Sequence, residues 1–168
     1  MIIIEMLTPE TLREASELAN SVFPNEPVLP GDAFQASFDA QKLKEIDEKL
    51  GEKTRSLCYW VAKDTKTERI VGTTGLYEIP DDYREADWLG WFCVAPDMRG
   101  QNIGEKLLDF TAEQSKKRKK KFLRLYTSDH PSEQSAQHLY DKKRFFIMKN
   151  SKQIPSKNST IFFREKEL

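Results

Sequence analysis

Glycine is scarce in this chain, with 7 among 168 residues, and cysteine and histidine are scarcer still, at 2 each. Cys58 and Cys93 fall within apolar runs and have no metal-ligand spacing. No metal site and no disulfide framework are therefore expected, and both read as buried free thiols of a cytoplasmic protein. An excess of charge of one sign is also missing. The 27 basic residues balance 27 acidic ones, so no overall field draws the chain to nucleic acid or to an anionic membrane. No apolar stretch approaches the length of a membrane span, and Met1-Ile2-Ile3-Ile4 meets Glu5 too early for a signal peptide. Repeats and low-complexity linkers are absent. These exclusions leave one domain over residues 1–168, long enough for a real core.

What is present alternates in type. Ile2 to Met6 reads as a strand, and Thr8 caps a helix that carries Pro9 in its first turn and Leu12, Ala15, Leu18 and Ala19 on one stripe. Pro24 to Gly31 reads as a loop. Asp32 then starts a second helix with Phe34, Phe38, Leu43, Ile46 and Leu50 apolar, ended by Gly51. Leu57–Ala62 and Ile70–Tyr77 read as strands joined through Asp64–Thr67, and Trp88–Val94 as the next strand. A meander feeding a helical crossover into a parallel strand predicts a mixed α/β layer architecture.

The scarce glycines become informative where Gly100 and Gly104 bracket the step from that strand into a helix. The apolar run ends before Pro96, and Ile103, Leu107, Leu108 and Ala112 then recur at helical spacing. Free N–H groups and the positive dipole end at such a helix start form an anion site, and Arg99 adds a cation. The residues match neither GxxxxGK[ST] nor GxGxxG.

Arg99, Gly100, Gln101, Asn102, Ile103 and Gly104 resemble the pyrophosphate loop, [Q/R]-x-x-G-x-[G/A], of the GNAT superfamily of acyl-CoA-dependent N-acetyltransferases. Asn102 stands where the family usually has glycine, and Asn is among the residues most tolerant of left-handed backbone angles. Downstream, the strand Leu123–Thr127, the loop Ser128–Ser132 and a helix with Ala136, Leu139 and Tyr140 before Phe145 resemble the family's A-x-x-L-Y-x-x-x-G-F segment. Arg144 replaces its glycine, and Glu133 stands where the family has a loop asparagine. The resemblance is specific from Asp87 to Phe146.

It implies a GNAT-like acyl-CoA N-acyltransferase fold: a central, mostly antiparallel sheet with one splayed parallel strand pair (Trp88–Val94 and Phe122–Thr127), flanked by helices. It also implies an N-acetyltransferase with acetyl-CoA as co-substrate, and a small-molecule or peptide amine as acceptor. The backbone of Phe92, Cys93 and Val94 would pair with the pantetheine amides. The loop from Arg99 through Gly100, Gln101, Asn102, Ile103 and Gly104 to Glu105 would hold the pyrophosphate. Tyr140 would protonate the departing thiolate, because a phenol keeps its proton at neutral pH.

The base is open among Glu78, Glu85, Asp87, His130 and a water chain, while His138 has no visible partner. Each acid reads first as a solvated strand-end charge. The run Lys116–Lys121 reads as a solvated, dipole-matched helix end rather than a nucleic-acid patch. A non-catalytic acyl-CoA-binding domain of the same fold is the alternative. A final strand over Thr160–Phe163 either completes the sheet or is exchanged with a second copy in a homodimer.

Overall fold

A computed structural model describes residues 1–149, 151–156 and 158–168. Its eight strands are β1 (Ile2–Met6), β2 (Ser56–Asp64), β3 (Ile70–Glu78), β4 (Ala86–Val94), β5 (Phe122–Ser128), β6 (Phe146–Ile147), β7 (Ile154–Ser156) and β8 (Ser159–Glu167). They form one sheet in the order β1-β2-β3-β4-β5-β8-β6, with β7 pairing to β8. Every pairing is antiparallel except β4 with β5. The expected strand over Thr160–Phe163 lies within β8 and completes this chain's own sheet beside β5.

Five helices cover the two faces: α1 (Pro9–Val22), α2 (Pro30–Ala36), α3 (Ala40–Leu50), α4 (Ile103–Lys117) and α5 (Gln134–Lys142). Residue alternation along the strands sends side chains to both faces. On one face Tyr59, Val61 and Cys93 pack with Ala15 and Ala19 of α1 and Phe34 of α2. On the other, Trp60, Leu76 and Leu125 pack with Leu108 of α4 and Tyr140 of α5. Among the described residues no helix is long and apolar enough to cross a membrane.

Thr8 caps α1 as its sequence suggests, its hydroxyl accepting from Thr11 N–H while Thr11 bonds back to Thr8. The second helix departs from expectation. Residues 32–50 form two helices, because Asp39 caps a new start, accepting from the N–H groups of Gln41 (2.9 Å) and Lys42 (3.2 Å). The preceding loop is also shorter than expected, since Pro30 and Gly31 already belong to α2, where a proline suits the first position.

Candidate functional site

Strands β4 and β5 are hydrogen-bonded only where Ala86, Asp87 and Trp88 face Phe122, Leu123 and Arg124. Beyond Trp88 they part. On its other side β4 pairs Gly90 with Gly75 and Cys93 with Thr73, so Trp91 and Phe92 together oppose Thr74, and β4 carries one extra residue. Trp91 adopts φ +35° at this bulge, a strained angle for a bulky side chain. Its carbonyl is turned out of the ladder and accepts from the buried Thr73 hydroxyl at 2.7 Å. The backbone from Leu89 to Val94 thus has no strand on its β5 side.

Into that gap opens a cleft of about 760 Å³. Phe92, Cys93 and Val94 form one wall, and Tyr140 reaches it from α5. Arg99, Gly100, Asn102, Ile103, Gly104 and Glu105 form its end. Gln101 is brought to the same loop, but its side chain turns to the Met98 sulfur at 3.7 Å. Asn102 takes φ +61° and Gly100 φ +76°, so both bends are left-handed, one of them without glycine. At α4 the first turn-to-turn bond runs from Lys106 N–H to the Asn102 carbonyl, 3.1 Å. The earlier N–H groups of Ile103, Gly104 and Glu105 have no helical acceptor, and these residues line the cleft. The Arg99 guanidinium stands beside them, donating to the Val94 carbonyl at 3.3 Å.

The Glu105 carboxylate is ion-paired with Lys142 and, at 2.9 Å, with Lys143. Hydrogen bonds from these two lysines hold its carboxyl down at about 2. Tyr140 is buried between the rings of Phe92 and Phe145, at centroid distances of 6.4 and 5.9 Å. Burial, and after it the Glu133 charge, pushes its phenol well above the ordinary value, so it carries a proton at neutral pH.

Glu133 lines the cleft and is held within the chain. Its carboxylate accepts from the Thr127 hydroxyl (2.6 Å), Ser128 N–H (3.1 Å) and the Ser128 hydroxyl, and so ties α5 to the end of β5. Arg144 adopts φ +62° and preserves the left-handed turn expected of a glycine.

The candidate bases separate. His130 and His138 both line the cleft, His130 with its Nδ1 2.7 Å from the Ser132 hydroxyl. Glu78, Glu85 and Asp87 do not. Asp87 is fully buried 3.4 Å from Arg118, Glu78 pairs with Arg118 (3.0 Å) and Lys120 (2.6 Å), and Glu85 pairs with Arg124 (2.9 Å). The basic run is therefore not wholly solvated, since Arg118 and Lys120 turn inward to these acids.

A second cavity of about 810 Å³ adjoins the cleft. Glu26, Leu89, Trp91 and Tyr126 line both and mark where they meet. Glu26 belongs to the proline-rich loop after the first helix, where the resemblance to the family puts acceptor contacts, and it lines both cavities. Only the fold brings it beside β4 and β5.

Residues 55–145 match the acetyltransferase (GNAT) domain. Against the curated proteins the chain has no sequence match. Among solved structures, a GNAT-family acetyltransferase from Staphylococcus aureus Mu50 is similar, with 23% identity, TM-score 0.68, and 99% of each chain covered. A putative GNAT-family acetyltransferase from Desulfovibrio desulfuricans has 14% identity and TM-score 0.76, again with 99% of each chain covered. A GNAT family acetyltransferase from Elizabethkingia anophelis, solved with acetyl-CoA bound, has 20% identity and TM-score 0.65, covering 99% of this chain and 98% of its own.

Proposed function

The chain belongs to the GNAT acetyltransferase family and is an acyltransferase, and on that premise we propose that it transfers an acetyl group from acetyl-CoA to a primary amine by direct attack. The observation that carries this reading is the open edge of β4 running into the N-terminus of α4 within one cleft. A pantetheine arm fits along Phe92, Cys93 and Val94 as an added strand. A diphosphate fits the N–H groups at Ile103–Glu105 beside Arg99. N–H groups of the same β4 edge are placed to stabilise charge that develops on the thioester oxygen. No metal is invoked.

Tyr140 is the proton donor to the departing thiolate, and its raised phenol value keeps that proton in place until the sulfur needs it. The site belongs to a protein free of membrane-spanning helices among the described residues, and we assign it to the cytoplasm.

Calorimetric titration with acetyl-CoA, paired with turnover of the Tyr140→Phe variant, tests the proposal. Micromolar binding and a loss of about 100-fold or more in kcat at unchanged affinity are expected. Absence of binding at millimolar acetyl-CoA would overturn the reading, and an equal rate in the variant would remove Tyr140 from the mechanism.

A further inference from the structure

The second cavity carries chemistry that the acyl cleft does not. Its walls are aromatic, from Tyr59, Tyr77, Trp88, Trp91, Tyr126 and Phe163. Several of these rings hold one another in place: Trp88 stacks on Tyr77 at 6.2 Å and meets Phe163 edge-on at 5.9 Å. Leu43, Ile46 and Leu50 of α3 add aliphatic surface. A preformed apolar cavity of this volume suits a bulky ligand.

Its charges are one-sided. Glu26, Glu52 and Asp81 line it, and among the described lining residues Lys53 is the lone cation. Neither Glu26 nor Glu52 is ion-paired among the described residues. Glu26 sits where this chamber opens into the acyl cleft. Partial burial, with the nearby Glu133 charge, raises its carboxyl above the ordinary value.

We propose that this chamber takes a primary amine borne on an aromatic or bulky apolar body without a carboxylate, its ammonium held at the seam by Glu26. This rests on the acetyltransferase reading above. An acceptor of amino-acid type would bring its own carboxylate among three acids, exposed like Lys53, the sole cation among the described lining residues, and like charges there disfavour it. An arylalkyl ammonium instead gains aromatic faces and a carboxylate together.

The proton balance then closes. The Glu26 carboxylate takes one proton from the ammonium, and the freed amine attacks the thioester carbon. The N–C bond forms and the C–S bond breaks, and the sulfur takes the Tyr140 proton. The proton left on the new amide nitrogen returns to Tyr140, and Glu26 gives its proton to solvent.

The test uses the full chain with saturating acetyl-CoA, following thiol release with tryptamine, tryptophan, 2-phenylethylamine, phenylalanine, ethylamine and spermidine, alongside calorimetry with acetyl-CoA alone. Tryptamine and 2-phenylethylamine should exceed their carboxylated counterparts by about 100-fold in kcat/KM, and ethylamine by about 10-fold or more. Glu26→Gln should lower kcat/KM for tryptamine about 10-fold or more, with kcat falling as well as KM rising, while acetyl-CoA affinity stays unchanged.

Equal or better turnover of tryptophan, phenylalanine or spermidine overturns the inference. So does no turnover of either aryl amine by protein that binds acetyl-CoA, and the acetyltransferase reading then stands without it. Failure to bind acetyl-CoA overturns both.

Discussion

Strands β4 and β5 run side by side for three residue pairs and then separate, and the two ends of the pair are built from opposite materials. At the closed end, charge is buried and paired. Asp87 lies fully buried beside Arg118, and Lys120 reaches Glu78 and the Tyr83 carbonyl. Arg124 of β5 forks to Asp82 (2.6 Å), Glu85 (2.9 Å) and Glu165 (3.1 Å), and Asp82 also accepts from the Trp88 indole at 3.0 Å. At the open end, the ladder is broken by the Trp91 bulge, and the backbone faces two cavities. The same kinds of residue therefore do different work. Acids at the closed end hold the strands together, whereas Glu26 at the open end is paired with no cation among the described residues and lines the seam. A carboxylate near a cofactor strand is informative only once its partners are known.

Breaking the closed end has the largest expected effect on stability. Arg118→Met leaves Asp87 buried with Lys120 3.9 Å away as its nearest remaining cation, and should cost about 3 kcal/mol in urea unfolding. Burial already raises the Asp87 carboxyl above its ordinary 3.8. The folded state therefore holds that proton more tightly than the unfolded one, and stability falls as pH rises through the interval above 3.8. The deficit of the variant should accordingly be smaller at pH 4 than at pH 7. Acetyl-CoA affinity should be unchanged where the variant is folded, and a weakened affinity would show that the two ends are not separable.

Thr73→Val acts on the hinge between the ends. It removes the hydroxyl that satisfies the Trp91 carbonyl and leaves that part-buried acceptor bare, a cost of about 1 kcal/mol. Here stability and acetyl-CoA affinity should fall together, because the bulge positions Phe92, Cys93 and Val94. Loss of stability with full affinity would mean that the bulge is held by the sheet alone.

Gly100→Ala reaches only the tip of the open end. A Cβ there meets nothing within 4 Å, so the whole effect is the left-handed φ of +76°, about 1 kcal/mol. The variant should bind acetyl-CoA more weakly, with a melting temperature lower by about 2–4 °C.

How much of this could be read from residues alone follows the same division. The loop Arg99–Glu105 was legible because local rules decide it: a strand end, two flexible positions and a helix start. Asn102 and Arg144 both take the left-handed angles of the glycines they replace, so the resemblance held in shape where it failed in letters. The break of one expected helix into α2 and α3 was hidden because Phe34, Phe38 and Leu43 keep an apolar rhythm across it. The cap at Asp39 was the available signal. The burial and pairing of Asp87 were hidden for a non-local reason. Its cations come from Arg118 and Lys120, which α4 carries back across the sheet, and chain order does not show which charges will meet. The short strands β6 and β7 left no periodic pattern to read.

The smallest expected effect sharpens the comparison from the exposed side of the open end. Glu105 has its carboxyl lowered from 4.5 to about 2 by Lys142 and Lys143. A lowered folded value contributes stability that is present above 4.5 and lost as pH falls toward 2. Lys142 is exposed while Glu105 and Lys143 are partly covered at the surface, so the contribution should be slight and should fade with added salt. In urea midpoints, the difference between the parent protein and Glu105→Gln should shrink over that interval and be screened in 1 M salt. Lys142 also lines the acyl cleft. Freed from Glu105, it gains a diphosphate as its nearest counter-charge, so the variant should bind acetyl-CoA no more weakly than the parent at low salt. Weaker binding would instead make the Glu105 pairs part of what shapes the anion site. The open end would then depend on paired charge as the closed end does, and the contrast between them would narrow to the bulge.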